Sequence, residues 1–155
     1  PPASIQAAVE QAEADLSAMM GDSEETHVVR CGTVMASVQS ALASTPTFTA
    51  SSMASLLNKL EAASHSAESL HLDQQSLIAN TNLLEVLRTQ AAVRLLTASV
   101  QSGLAREESR GSFVREDFPD ANEDFLHHVT VDHQGVTGTL AIKKGAGGHW
   151  VLAPQ

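Results

Sequence analysis

A mainly α fold, a helical bundle carrying a short C-terminal β-hairpin, is what this sequence predicts, and three observations carry that expectation. Ala, Leu, Val and Ser dominate while aromatic residues make up only 3% and Tyr is absent, a composition that favours helices over a sandwich or barrel. Apolar residues recur at helical spacing in four stretches before Pro119. Beyond Pro119 the pattern changes to short strand-like runs broken by glycine. At 155 residues the chain has the size of one ordinary domain and can bury a real core.

The first stretch places Ile5, Ala8, Val9, Ala12, Leu16, Met19 and Met20 on one stripe. Gly21-Asp22-Ser23 stops it and caps a second helix, with Glu24 and Glu25 suited to a first turn. That helix carries Val28, Cys31, Met35, Val38 and Leu42 and ends at Ser44-Thr45-Pro46. Ser51 or Ser52 can cap a third, with Met53, Leu56, Leu60, Ala63, Ala67 and Leu70 on its stripe. The fourth differs. Asn82 offers an N-cap with Glu85 three residues on, the pattern of a capping box. Leu84, Leu87, Ala91, Leu95 and Ala98 form one face, and Val86, Val93, Leu96, Val100 and Leu104 cover much of the rest, which implies a helix surrounded by others. Gly111 then stands where a left-handed C-terminal residue belongs.

After Pro119, Val129 to Asp132, the turn His133-Gln134-Gly135, and Val136 to Lys143 read as a β-hairpin. Gly145 to Gly148 breaks it before a short apolar end, His149 to Leu152. A two-stranded ribbon is marginal alone, so it should lie against the bundle or a partner. The organisation expected is a bundle over 1–119 and an extension with a β-hairpin tail over 120–155.

A net charge of -9 argues against a nucleic-acid or anionic-membrane binder, which needs Lys and Arg stripes. Its ordinary meaning is solubility. Cys31 is alone, so there is no internal disulfide framework. No window approaches the roughly 18 apolar residues of a membrane span. The opening Pro1-Pro2, without Met or a signal-peptide pattern, suggests an excised fragment or a processed polypeptide.

Complete active-site chemistry is not visible. His127, His128 and His133 are close in sequence, but neighbours 127 and 128 point apart on a helix or a strand, and neither an HExxH pair nor paired Cys ligands occurs. Cys31 falls on an apolar stripe, the usual place of a small buried thiol. No Ser lies in a Gly-x-Ser-x-Gly elbow. The glycines at 145–148 lack the Lys-Ser or Lys-Thr and following helix that a phosphate cradle needs.

What remains is the run from Leu83 to Pro119, a buried helix ending in a dense knot of charge: Arg106, Glu107, Glu108, Arg110, Arg115, Glu116 and Asp117. One reading is a helix end with local salt bridges among Arg106, Glu107, Glu108 and Asp117, which contribute about 0–1 kcal/mol when exposed. The other is that Arg110 and Arg115 reach carboxylates or carbonyls of another domain, a task a planar guanidinium does better than Lys. The residues alone leave both open.

Asn80-Thr81-Asn82-Leu83-Leu84-Glu85, then Ser102 to Gly111 (SGLAREESRG) and Arg115-Glu116-Asp117-Phe118-Pro119, resemble the C-terminal helical domain of the succinate dehydrogenase and fumarate reductase flavoprotein family. L-aspartate oxidase shares that domain with a looser match. The similarity is detailed from about Leu77 to His128; upstream, Val28 to Leu42 and Met53 to Leu70 fit the family's preceding helices in placement, and residues before 27 do not match. Ser112-Phe113 stands where the family has Ala-His.

The resemblance implies a three- to four-helix, spectrin-repeat-like bundle that follows an FAD-binding domain and a capping domain. It implies no catalytic, cofactor-binding or metal residues in this chain, and an interdomain docking role for Ser109, Arg110, Gly111, Arg115 and Asp117. FAD then belongs to the parent or companion polypeptide, and this chain binds no cofactor alone. The partners implied are that FAD-binding domain and an iron–sulfur subunit, with no nucleic acid and no direct membrane insertion. The location implied is cytoplasmic, peripheral to the membrane through partner subunits. The expected function is a non-catalytic domain of an FAD-dependent succinate dehydrogenase or fumarate reductase type oxidoreductase; whether the chain itself is an enzyme is left open. The alternative is a free-standing helical interaction module that kept the fold but not the enzyme.

Overall fold

Thr49 and Asn80 decide where the two main core helices begin. Thr49 Oγ1 accepts the Ser52 backbone N–H at 3.2 Å while Ser52 Oγ accepts the Thr49 N–H at 2.9 Å, a reciprocal capping box in which serine takes the place usual for Glu or Gln. Asn80 Oδ1 accepts the Leu83 N–H at 2.8 Å. Both caps lie upstream of the expected ones: Ser52 is the third helical residue rather than the cap, and Asn82 is already inside its helix.

The computed structural model describes residues 3–20, 29–72, 76, 78–144 and 150–154. They form α1 (Ala3–Met19), α2 (Cys31–Ala43), α3 (Ala50–Glu68), α4 (Thr81–Leu104), a 3-10 turn (Glu123–Phe125), and strands β1 (His127–Val131), β2 (Thr137–Lys144) and β3 (Trp150–Pro154). The expected stop and cap at 21–25, like the glycine run at 145–148, fall outside the described residues. The fold is the mainly α bundle with a C-terminal hairpin that the sequence predicts, with the hairpin extended by a third strand.

α3 buries the whole stripe expected of it, Met53, Leu56, Leu60, Ala63 and Ala67, and Leu70 follows just past its end. Within the described residues α2 carries its stripe only from Cys31. Val29 is extended and bridges Leu70, with the His71 N–H bonded to the Val29 carbonyl at 3.0 Å, so the helix starts only at Cys31. Its buried face is Cys31, Val34, Val38 and Ala41. That face centres between Val34 and Val38, which moves Met35 to its edge and leaves Leu42 exposed.

α4 corrects the expectation of a helix surrounded by others. Val86, Thr89, Val93, Val100 and Gly103 are buried against α2 and α3. On roughly the opposite side, at about 100° per residue, Leu84, Leu87 and Leu95 are 51%, 43% and 69% exposed. α1 likewise leaves Ile5 and Val9 about half exposed, and only Met19 and Met20 at its end pack on the core. Three helices, α2 to α4, therefore make the core.

The sheet is antiparallel in the order β1-β2-β3, with His127 opposite Ala141 and Lys144 opposite Trp150. At the first turn Asp132 Oδ1 accepts the N–H groups of Gln134 (2.8 Å) and Val136 (2.9 Å), and Gly135 takes a left-handed φ of 80°. A Cβ on Gly135 would stand 3.1 Å from Gln101 Nε2, so this turn lies against α4. Trp150–Pro154 is the third strand, where the sequence suggests only a short apolar end from His149 to Leu152.

Candidate functional site

The charged run after α4 sits inside the protein. α4 ends at Leu104 with Ala105 still in right-handed helical geometry, so Gly111 is not its C-terminal left-handed residue. Gly111 does have a positive φ of 62°, at the first central position of a tight hairpin turn in which Arg110 and Phe113 exchange both backbone hydrogen bonds, 2.9 and 3.1 Å. Positive φ at that position favours glycine strongly. The turn's tip, Gly111 and Ser112, is exposed.

Two networks hold this segment. In the first, Arg115, only 1% exposed, donates from Nε to Asp117 Oδ1 at 2.9 Å and from Nη2 to Oδ2 at 2.6 Å, a bidentate pair. Its Nη1 donates to the carbonyls of Leu104 (3.3 Å) and Arg106 (2.8 Å) just where α4 runs out of acceptable partners. Asp117 Oδ2 in turn accepts the Ala50 N–H at 2.7 Å, at the start of α3. One ion pair thus places a cation at the C-terminus of α4 and an anion at the N-terminus of α3, each matching the sign of the helix end it meets. Phe118 lies under the Arg115 guanidinium, 4.7 Å from ring centre to Cζ.

In the second network Glu108 is fully buried. Arg106 Nη2 bonds one carboxylate oxygen, Arg110 Nε reaches both at 3.1 Å, and the Asn122 N–H donates to Oε2 at 2.9 Å. The same two arginines extend onward. Arg106 donates to the carbonyls of Phe125 (2.6 Å) and His127 (2.8 Å), and Arg110 donates to the Asn122 carbonyl at 3.0 Å. Glu108 therefore ties α4's exit to the start of β1. Ser109, next to Glu108 in the chain, braces the first network: its Oγ accepts the Arg115 N–H at 2.8 Å and donates to the Phe118 carbonyl at 2.7 Å.

Burial alone would raise the Glu108 pKa, but the hydrogen bonds from Arg110, the Asn122 N–H and Arg106 outweigh it and hold the carboxyl at about 2. Asp117 is also held at about 2, first by the Arg115 hydrogen bonds, against a smaller opposing effect of desolvation, and further by the Ala50 N–H. Both are fixed anions at neutral pH. Neither has a proton to exchange in that range.

The five residues expected to dock on another domain thus divide. Arg115 turns inward, and Ser109 and Asp117 make their bonds within the chain. Arg110, its side chain 37% exposed, and the tip at Gly111 face outward. Beside them is a cavity of about 250 Å³ lined by Arg106, Arg110, Phe113, Phe125, Leu126, His127, His128 and Ile142. Phe113, where a histidine was expected from the resemblance, stacks on Phe48 with ring centres 6.1 Å apart and closes on α4 at Gly103. A Cβ on Gly103 would meet the Phe113 ring at 3.3 Å and Met53 Cε at 2.6 Å.

The local salt-bridge reading of the knot held Arg106 and Glu108, and the structure pairs them; what sequence reasoning missed is that Arg110 and the Asn122 N–H meet the same carboxylate. A signal was present: Arg106, Glu108 and Arg110 alternate, and in an extended segment positions two apart share a side. His127 lies half-buried against the Phe125 ring, 5.7 Å between centres, while His128 is exposed, as alternation along β1 requires. Among the described residues no group of three His, Cys, Asp or Glu could hold a metal ion. Cys31 is buried.

Residues 44–146 match the family described as fumarate reductase flavoprotein C-term. A fumarate reductase flavoprotein subunit of Mycobacterium tuberculosis is 40% identical over 72 residues, 46% of this chain and 12% of that protein. A succinate dehydrogenase flavoprotein subunit of Rickettsia conorii is 38% identical over 69 residues, 43% of this chain and 12% of that protein. In fold, the chain is similar to E. coli quinol fumarate reductase FrdA (E245Q mutation), with a TM-score of 0.72 at 20% identity over 90% of this chain and 24% of the other. Mycobacterium smegmatis Sdh1, solved in complex with UQ1, follows with a TM-score of 0.63 at 16% identity, covering 97% of this chain and 24% of that one. The chain thus spans about a quarter of those solved chains.

Proposed function

The chain belongs to the fumarate reductase flavoprotein C-terminal family, and from that premise we propose that it is a non-catalytic helical domain that packs on the FAD-binding domain of a succinate dehydrogenase or fumarate reductase type oxidoreductase. The observation that carries the reading is the family match over 44–146, which spans α3, α4, both charge networks and the first hairpin. The networks support it chemically. Glu108 and Arg115 are buried, and the bonds of their charged groups are made inside the chain, which suits bracing rather than proton transfer.

The described residues offer no cradle for FAD. A dinucleotide sits on a glycine-rich turn between a strand and a helix N-terminus in a parallel sheet. Here the sheet is antiparallel, the N-terminus of α3 is taken by Thr49 and Asp117, and that of α4 by Asn80. In this reading FAD is held by the same or a companion polypeptide, and electrons pass to an iron–sulfur subunit or a small acceptor. No helix among the described residues is long and apolar enough to cross a membrane; in this reading membrane attachment comes through partner subunits. Ser109, Arg115 and Asp117 hold the segment in shape, and Arg110 and Gly111 meet the flavin domain at its outer edge.

Purification of the chain from its native extract tests this. The expected result is a yellow preparation in which FAD is bound by the same or an accompanying polypeptide. A colourless preparation with an unrelated partner would contradict it and favour a free-standing interaction module.

A further inference from the structure

A helix on a protein surface ordinarily turns polar side chains to water opposite its packed side. The outer side of α4 shows water Leu84, Leu87 and Leu95 instead, with Ala91 between them. From Leu84 to Leu95 this stripe runs about 16 Å, or three turns. Arg88 and Arg94 border it at helical spacing, both exposed and without an ion pair among the described residues. With Glu85 as the one carboxylate of α4, the two arginines leave this helix positive on a chain of net charge -9.

We propose that this outer face of α4 is the surface on which the flavin-bearing part of the subunit docks, through an apolar patch edged by carboxylates that meet Arg88 and Arg94. The proposal rests on the reading of the chain as the helical domain of such a subunit. An exposed apolar patch rimmed by charge is a general mark of an interaction site. The rim chooses the partner by sign. A second copy of this chain is a poorer occupant: a two-fold pairing of α4 with itself sets the arginine rims of the two copies against each other, between two chains that each carry -9. An acidic-edged apolar surface satisfies both the leucines and the arginines.

Cysteine labelling reads this directly, because the chain's own Cys31 is buried. Leu95→Cys, and Glu61→Cys on the exposed side of α3 as a reference, are treated with a maleimide and followed by peptide mass spectrometry. The measurement is made on the 155-residue chain alone and on the native flavin-containing assembly. The expected result is equal, rapid labelling of both variants in the isolated chain. In the assembly Leu95→Cys should slow by roughly tenfold or more while Glu61→Cys stays fast. Equal labelling of Leu95→Cys in chain and assembly overturns the surface and leaves the family function standing. Protection of Leu95→Cys in the isolated chain that grows with protein concentration overturns it in favour of a second copy. Absence of any flavin-bearing polypeptide overturns the functional reading and this proposal with it.

Discussion

On one side of α4 Val86, Val93 and Val100 are sealed against α2 and α3; on the other Leu84, Leu87 and Leu95 stand in water. The exposed side chains are the larger and more apolar ones. At the helix's C-terminus the inversion goes further, since Glu108 and Arg115 are buried more completely than those leucines. Burial here follows available partners rather than hydropathy. A charge enters the interior when all its hydrogen bonds are met, and a leucine stays outside when none of the described elements is laid over it.

The sharpest way to break this comparison is at the charged end. Arg115→Ala should cost about 2–3 kcal/mol, because it empties a buried site and leaves the Leu104 and Arg106 carbonyls without their donor, while Asp117 can turn to water. Urea unfolding with a midpoint close to that of the parent chain would show that Arg115 is not a structural cation. Glu108 supplies the next test, with a definite sign in pH. Its folded pKa of about 2 lies below the ordinary 4.5, so its contribution is present above pH 4.5 and is lost as pH falls toward 2. Asp117 acts in the same direction from 3.8. Thermal melts should therefore fall steeply across that window, and Glu108→Gln should lower the midpoint at neutral pH while making the acid limb shallower.

On the sealed side Val93→Ala should cost about 2 kcal/mol, as a cavity among α2, α3 and α4. On the open side Leu95→Ser should change stability by no more than about 0.5 kcal/mol, the usual range for an exposed position. Equal losses from the two substitutions in the isolated chain would erase the distinction between the faces.

How much of this was legible in the sequence depended on how local each cause was. α3 read correctly residue by residue, because its stripe from Met53 to Ala67 has no competing apolar face. α2 misread by a register because Val29 is held extended by Leu70, far away in sequence. α4 shows two apolar faces in sequence, and periodicity cannot say which one the rest of the chain covers. The charge knot was visible as a cluster, and its alternation at 106, 108 and 110 hinted at a shared side. That Asp117 meets the first N–H of α3, 67 residues away, was not readable from any local pattern. β3 was hidden because the run from Trp150 to Pro154 is short and follows a glycine-rich break.

The central claim is that the sealed face of α4 holds this domain together while its open face holds the domain to a flavin-bearing partner. Native mass spectrometry of the Leu95→Glu chain mixed with that partner tests it most directly. The account predicts that the parent chain appears in complex with the FAD-containing polypeptide and that the variant, still folded, appears alone. A variant that remains in the complex at the parent's abundance would contradict it.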